Sequence, residues 1–78
     1  MTDLDAVQAN IEKARTIYRK ANGKLIEAGV LPIDSAIAAL YAAFDIATDV
    51  HGGRSEGLAW MGDVVAQFER QLSAETRH

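Results

Sequence analysis

The 78-residue sequence contains no cysteine, one proline, and only five aromatic residues. The lack of cysteine excludes disulfide bonds, thiolate metal ligands and a cysteine nucleophile. The longest run without a charged residue, 35–44, is about half of what a bilayer span requires. The N-terminus carries Asp3 and Asp5 but no basic cluster followed by an apolar run. We therefore expect neither a secretory signal nor a membrane span, and a cytoplasmic location.

The overall composition is that of a small globular protein, with 49% hydrophobic and 24% charged residues. The net charge of −3 favours solubility and argues against general affinity for nucleic acid. A chain of this length buries little more than about 60% of its unfolded surface. Without disulfides or an evident metal site, stability has to come from a regular helical core or from a partner chain. We expect a single helical domain, 1–78, without a cofactor.

The first segment has one apolar face. Its apolar residues recur at alternating spacings of three and four, at Leu4, Val7, Ile11, Ala14, Tyr18, Ala21 and Leu25. This spacing predicts an amphipathic helix. Thr2 is a suitable N-cap, and Asp3 and Asp5 suit the positive end of a helix dipole. The helix is predicted over 3–28.

The sequence contains two candidate positions for the end of helix 1. Gly29 can adopt the left-handed conformation that ends a helix, with Val30 folding back on Leu25 in a Schellman motif and Pro32 preventing continuation. The pair Asn22–Gly23 is a common turn sequence. The apolar spacing crosses that pair without interruption, which favours a continuous helix. A break there would instead favour a compact monomer.

The second segment is predicted to be a helix over 34–51, beginning at Asp34 or Ser35, with two apolar faces. The first face comprises Ile37, Leu40, Tyr41, Phe44 and Ala47. The second comprises Ala39, Ala43, Ile46 and Val50. Only a narrow strip with Ala38, Ala42, Asp45 and Asp49 is left to face water. A helix that is apolar on most sides is buried on most sides, so this one requires more than one neighbour.

The third segment is predicted to be a helix over 56–72, followed by a polar tail, 73–78, that frays. Its apolar stripe is formed by Leu58, Met61, Val65, Phe68 and Leu72. Trp60 lies at the edge of this stripe, so it suits either a core or an interface position. Gly57 falls on the apolar side, where it more readily admits a neighbouring helix than a ligand.

Short connections favour antiparallel neighbours, so the predicted fold is an all-α, three-helix up-down-up bundle with a long first helix. Helix 1 would span roughly 40 Å and the other two about 25 Å each. Something has to cover the overhanging stripe of helix 1 and the second face of helix 2. We therefore predict a homodimer whose interface includes Tyr18, Leu25, Ala39, Ala43, Ile46 and Val50.

The segment HGGRSEG, 51–57, carries the most reactive side chains. A structural role accounts for nearly all of it, because Gly52 suits a helix end and Ser55 suits the N-cap of helix 3. It lacks the lysine and the preceding strand of a phosphate-binding loop. The alternative is an anion held by Arg54 and Ser55 at the start of helix 3.

No enzyme or metal site is predicted. Ser55, His51 and Asp49 resemble a triad in composition only, since nothing suggests an oxyanion hole. Asp45 and Asp49 share a helix face, but His51 projects from the opposite side and cannot complete a metal site with them.

Five of the eight basic residues lie between Lys13 and Lys24. Lys13, Lys20 and Lys24 line the side of helix 1 away from its apolar stripe, as an ordinary solvated face does. DNA binding through helix 3 is disfavoured, because that helix is acidic between Arg54 and Arg70.

The sequence thus predicts a small non-enzymatic protein–protein interaction module that self-associates through helices 1 and 2. Such a module can serve as a regulator, an inhibitor or an assembly subunit of a larger protein partner. The alternative is a binder of nucleic acid or of an acidic protein, using Lys13, Lys20 and Lys24.

Overall fold

The protein is all-α over residues 3–76, which are the residues that this computed structural model describes. Helix α1 spans Asp3–Glu27, α2 spans Pro32–His51 and α3 spans Arg54–Thr76, with no strand among these residues. The all-α, three-helix class is confirmed, whereas the up-down-up arrangement and the dimer stay predictions. Thr2, the expected N-cap of helix 1, lies outside the described residues.

The chain divides into two compact units, 1–37 and 38–78. The N-terminal unit contains α1 and the beginning of α2, and the C-terminal unit contains the rest of α2 and α3. The prediction of a single domain stays a prediction.

Helix α1 is continuous through Asn22 and Gly23, as the uninterrupted apolar spacing favours. It ends at Glu27, and Gly29 follows with a φ of 99°. Only glycine adopts this left-handed conformation without a steric penalty.

The end of α1 is the predicted Schellman motif. The amide of Val30 donates to the carbonyl of Leu25 over 3.0 Å, and the amide of Gly29 donates to the carbonyl of Ile26 over 3.0 Å. These two bonds satisfy carbonyl groups that a helix end otherwise leaves without partners.

Helix α2 begins at Pro32, two residues before its predicted start. Proline suits the first helical position, because the N–H that it lacks would have no partner there. Ser35, one of the two predicted starting residues, lies within the first turn, where its amide donates to the carbonyl of Leu31 over 3.0 Å. Its side chain is only 5% exposed, and its hydroxyl donates to Oδ1 of Asn22 over 2.5 Å. This bond fastens the first turn of α2 to α1.

The connection between α2 and α3 consists of two glycines. Gly52 has a φ of 84°, and the amides of Gly52 and Gly53 donate to the carbonyl of Thr48 over 3.0 and 3.1 Å. The carbonyl of Gly53 accepts from the amide of Gly57 over 2.9 Å, so α3 begins at Arg54. Ser55 therefore lies in the first turn and is not the N-cap that the sequence predicts.

Helix α3 continues to Thr76, past the predicted end at Leu72. The added residues contain neither glycine nor proline, and alanine and glutamate among them are good helix formers. The polar tail is therefore helical as far as it is described, and residues 77–78 lie outside the described part.

In the C-terminal unit, α2 and α3 approach closely where Gly57 meets Thr48. A β-carbon built on Gly57 would lie 2.8 Å from Oγ1 and 2.9 Å from the backbone nitrogen of Thr48. The prediction that Gly57 admits a neighbouring helix is confirmed. Among residues 3–75, only Ser35, Ala47 and Gly57 are buried. Few of the described residues are therefore enclosed by their neighbours.

The Thr48 hydroxyl is buried without a hydrogen-bond partner. We expect Thr48→Val, which replaces the hydroxyl by a methyl group of similar shape, to leave stability unchanged or to raise it by about 1 kcal/mol. Urea denaturation at a fixed protein concentration measures the change. Thr48→Ser, which keeps the hydroxyl and removes the methyl group, is the control and should lower stability. A clear loss of stability in Thr48→Val would mean that the hydroxyl is hydrogen-bonded.

Candidate functional site

Large apolar side chains are exposed along all three helices. Contiguous apolar surface that a folded protein leaves exposed is a mark of an interaction site. The strongest candidate for a functional surface is therefore apolar.

On α1, five of the seven exposed large apolar residues belong to the predicted stripe, and the other two are Ile17 and Ile26. Their exposure ranges from 42% at Leu25 to 76% at Leu4, and none of the α1 residues is buried. Tyr18, which the sequence assigns to the interface together with Leu25, is also exposed. The stripe therefore remains open along α1.

On α2, the second apolar face is open to solvent. Ala39, Ile46 and Val50 are exposed, and Ala43 is half-buried. These are the four residues of α2 that the sequence assigns to self-association. The structure places them in the C-terminal unit and places Tyr18 and Leu25 in the N-terminal unit.

The first apolar face of α2 is covered less than its sequence suggests. Ala47 is buried and Phe44 is half-buried, but Ile37, Leu40 and Tyr41 are exposed. Ala47 lies directly before Thr48, the residue that meets Gly57 of α3. Burial on this face is therefore concentrated at the close approach of the two helices.

The segment 51–57 is the joint between two helices, as its sequence favours. The Arg54 guanidinium lies over the Phe44 ring, 5.9 Å from its centroid. Both residues line a surface depression of about 300 Å³ that also includes Asp45, Thr48 and Asp49. Asp45 and Asp49 bring two negative charges to this lining and Arg54 brings one positive charge, and Ser55 is exposed. The alternative of an anion held by Arg54 and Ser55 stays a prediction.

Trp60 is 39% exposed, and its ring lies 6.0 Å from the His51 ring, centroid to centroid, at a tilt of 34°. Trp60 is therefore partly covered at the joint and partly open to solvent.

Within residues 3–75, no group of three His, Cys, Asp or Glu side chains is arranged to hold a metal ion.

The basic residues of α1 lie at its surface. Lys13, Lys20 and Lys24 are all exposed, and the Lys24 ammonium group is 3.9 Å from the Glu27 carboxylate. An exposed pair of this kind contributes little to stability. The three lysines are thus accessible, which suits both a solvated face and a binding face for nucleic acid or an acidic protein.

None of the described helices is both long enough and apolar enough to cross a membrane. No family model matches the chain, and comparisons with curated proteins and with solved structures also give no match.

Proposed function

We propose that this protein is a small, non-enzymatic, helical interaction module that self-associates through α1 and α2. The observation that supports the proposal is the exposure of large apolar side chains on both helices, Leu4 and Tyr18 on α1 and Ile46 and Val50 on α2. Burying one such side chain completely contributes about 1.5–3 kcal/mol. A few of them together therefore offset the entropy cost of association.

A second copy of the chain is the partner that we favour. The same apolar surface is present on every copy, so two copies can form a closed, two-fold symmetric dimer. A dimer of this kind supplies the apolar cover that a 78-residue chain without disulfides requires. The apolar surface that remains would then be available to a larger protein partner, as a regulator, an inhibitor or an assembly subunit requires.

The oligomeric state tests this proposal directly. In size exclusion coupled to light scattering, we expect the mass of two chains at high micromolar concentration and a shift toward one chain on dilution. The dilution series separates a reversible dimer from an aggregate, whose mass would not converge on two chains. A strict monomer at the highest concentration would remove the proposal.

The second candidate function is binding to nucleic acid or to an acidic protein through Lys13, Lys20 and Lys24. The net charge of the chain is −3, and Glu27 lies beside Lys24. Both features weaken the attraction of this face for a polyanion.

A further inference from the structure

The apolar stripe of α1 has the spacing of a coiled-coil seam. Positions three and four residues apart alternate without exception, which gives a repeat of seven residues. We refer to this set as the α1 seam: Leu4, Val7, Ile11, Ala14, Tyr18 and Ala21. All six are exposed. A helix surface with this repeat suits pairing with another helix along its length.

Large and small residues are distributed unevenly along the α1 seam. One position of the repeat holds Leu4, Ile11 and Tyr18, and the other holds alanine at 14 and 21, with Val7 the exception. Small side chains allow two helices to approach closely, provided that a large side chain lies opposite each of them. In an antiparallel pair, the two positions of the repeat face each other. That arrangement places a large residue opposite an alanine in two of three layers, whereas a parallel pair places each residue opposite its own copy.

We propose that two copies of the chain associate through an antiparallel pairing of their α1 helices along this seam. The inference rests on the proposed self-association and specifies its geometry. In the register that we propose, Leu4 packs against Ala21 of the partner subunit and Ile11 packs against Ala14 of the partner subunit. Between these layers, Val7 packs against Tyr18 of the partner subunit. Each layer occurs twice, because the pairing is two-fold symmetric.

The charges of α1 favour the same orientation. Residues 3–12 contain three acidic residues and no basic residue, and residues 13–24 contain five basic residues and no acidic residue. A parallel pair would place the two basic segments, 13–24 of each copy, side by side. The proposed antiparallel register lays the acidic segment of one copy along the basic segment of the other. Opposite charges on two paired helices set their relative orientation.

The exposure of the side chains along α1 agrees with a contact that ends at Ala21. Asn22 accepts a hydrogen bond from Ser35 of α2, and Leu25 and Ile26, each 42% exposed, are the least exposed of the large apolar side chains that α1 exposes. The C-terminal end of α1 is thus already engaged in its own chain. The proposed contact ends at Ala21 and uses the part of the stripe that precedes this region.

The absence of cysteine permits a clean cross-linking test in the full chain. We expect the double variant Leu4→Cys/Ala21→Cys to form a disulfide-linked dimer under mild oxidation. In the proposed register, the thiol at position 4 of each copy faces the thiol at position 21 of the partner subunit. The single variants Leu4→Cys and Ala21→Cys should stay uncross-linked, since identical positions lie about 25 Å apart along an antiparallel pair. Non-reducing gel electrophoresis measures the covalent dimer. Oxidation in concentrated urea gives the background from random collisions, and circular dichroism confirms that each variant keeps its helices.

The possible results are distinct. Efficient cross-linking of either single variant would show a parallel pair and overturn the proposal. A dimer by light scattering whose double variant does not cross-link would also overturn it, because the contact would then lie elsewhere. A wild-type chain that stays monomeric would contradict the proposed self-association itself.

Discussion

Gly57→Ala is expected to lower the free energy of unfolding by about 1–3 kcal/mol, although alanine is the better helix former. The added β-carbon would meet the backbone of Thr48, with 2.9 Å to its nitrogen and 3.1 Å to its α-carbon. Backbone atoms cannot move aside as the tip of a flexible side chain can, so α2 and α3 would have to separate. In a domain of this size, such a loss is a large part of the total stability.

A matched control lies on the same helix. Outside the adjoining backbone of α3, nothing lies within 4 Å of a β-carbon built on Gly62, so Gly62→Ala should raise stability by about 1 kcal/mol through helix propensity alone. Thermal or urea denaturation at one protein concentration compares the two variants. Equal effects at both positions would show that α2 and α3 do not approach closely at Gly57.

Ile46→Glu is expected to weaken the dimer by about 2–4 kcal/mol, or roughly 30- to 1,000-fold in Kd. The change removes an apolar contact from the second face of α2 and introduces a charge there. The Ile46 side chain is 54% exposed within the chain, so the helix content of the monomer should stay unchanged. Light scattering across a dilution series measures the dimer, and circular dichroism measures the helices.

The control for this variant is Ala42→Glu. It adds the same charge to the same helix, on the narrow strip that faces water, and should leave the dimer intact. If Ile46→Glu leaves the dimer unchanged, the second face of α2 is not part of the contact and α1 alone carries it. If it unfolds the chain, Ile46 belongs to a core, and the assignment of this face to an interface is wrong.

The features that sequence predicts correctly are those encoded by neighbouring residues. Gly29 and Gly52 end their helices because each adopts the left-handed backbone conformation that terminates a helix and that glycine adopts most easily. Two features at the start of α2 differ from the prediction for different reasons. The Ser35 hydroxyl bonds to Asn22, thirteen positions away, and no local pattern contains that information. Pro32 is expected only to stop helix 1, whereas it also begins α2 through the local preference of proline for the first helical position.

Among the candidate surfaces, those formed by one helix are predicted from the sequence, and those formed by two helices are not. The spacing of apolar residues predicts the stripe of α1 and the second face of α2, because an exposed face needs only the helix itself. The contact between His51 and Trp60 depends on how α2 and α3 cross, and no local pattern contains that information. The depression that joins Arg54 to Asp45 and Asp49 depends on the same crossing.

The scarcity of buried apolar residues has a thermodynamic consequence. Because Ala47 and Gly57 are the only apolar residues that are buried among residues 3–75, an isolated copy gains less hydration free energy and a smaller heat capacity change by folding than a domain with an enclosed core. The proposed self-association would add to both, so the melting temperature would rise with protein concentration. The stability of the chain would then depend on its own abundance.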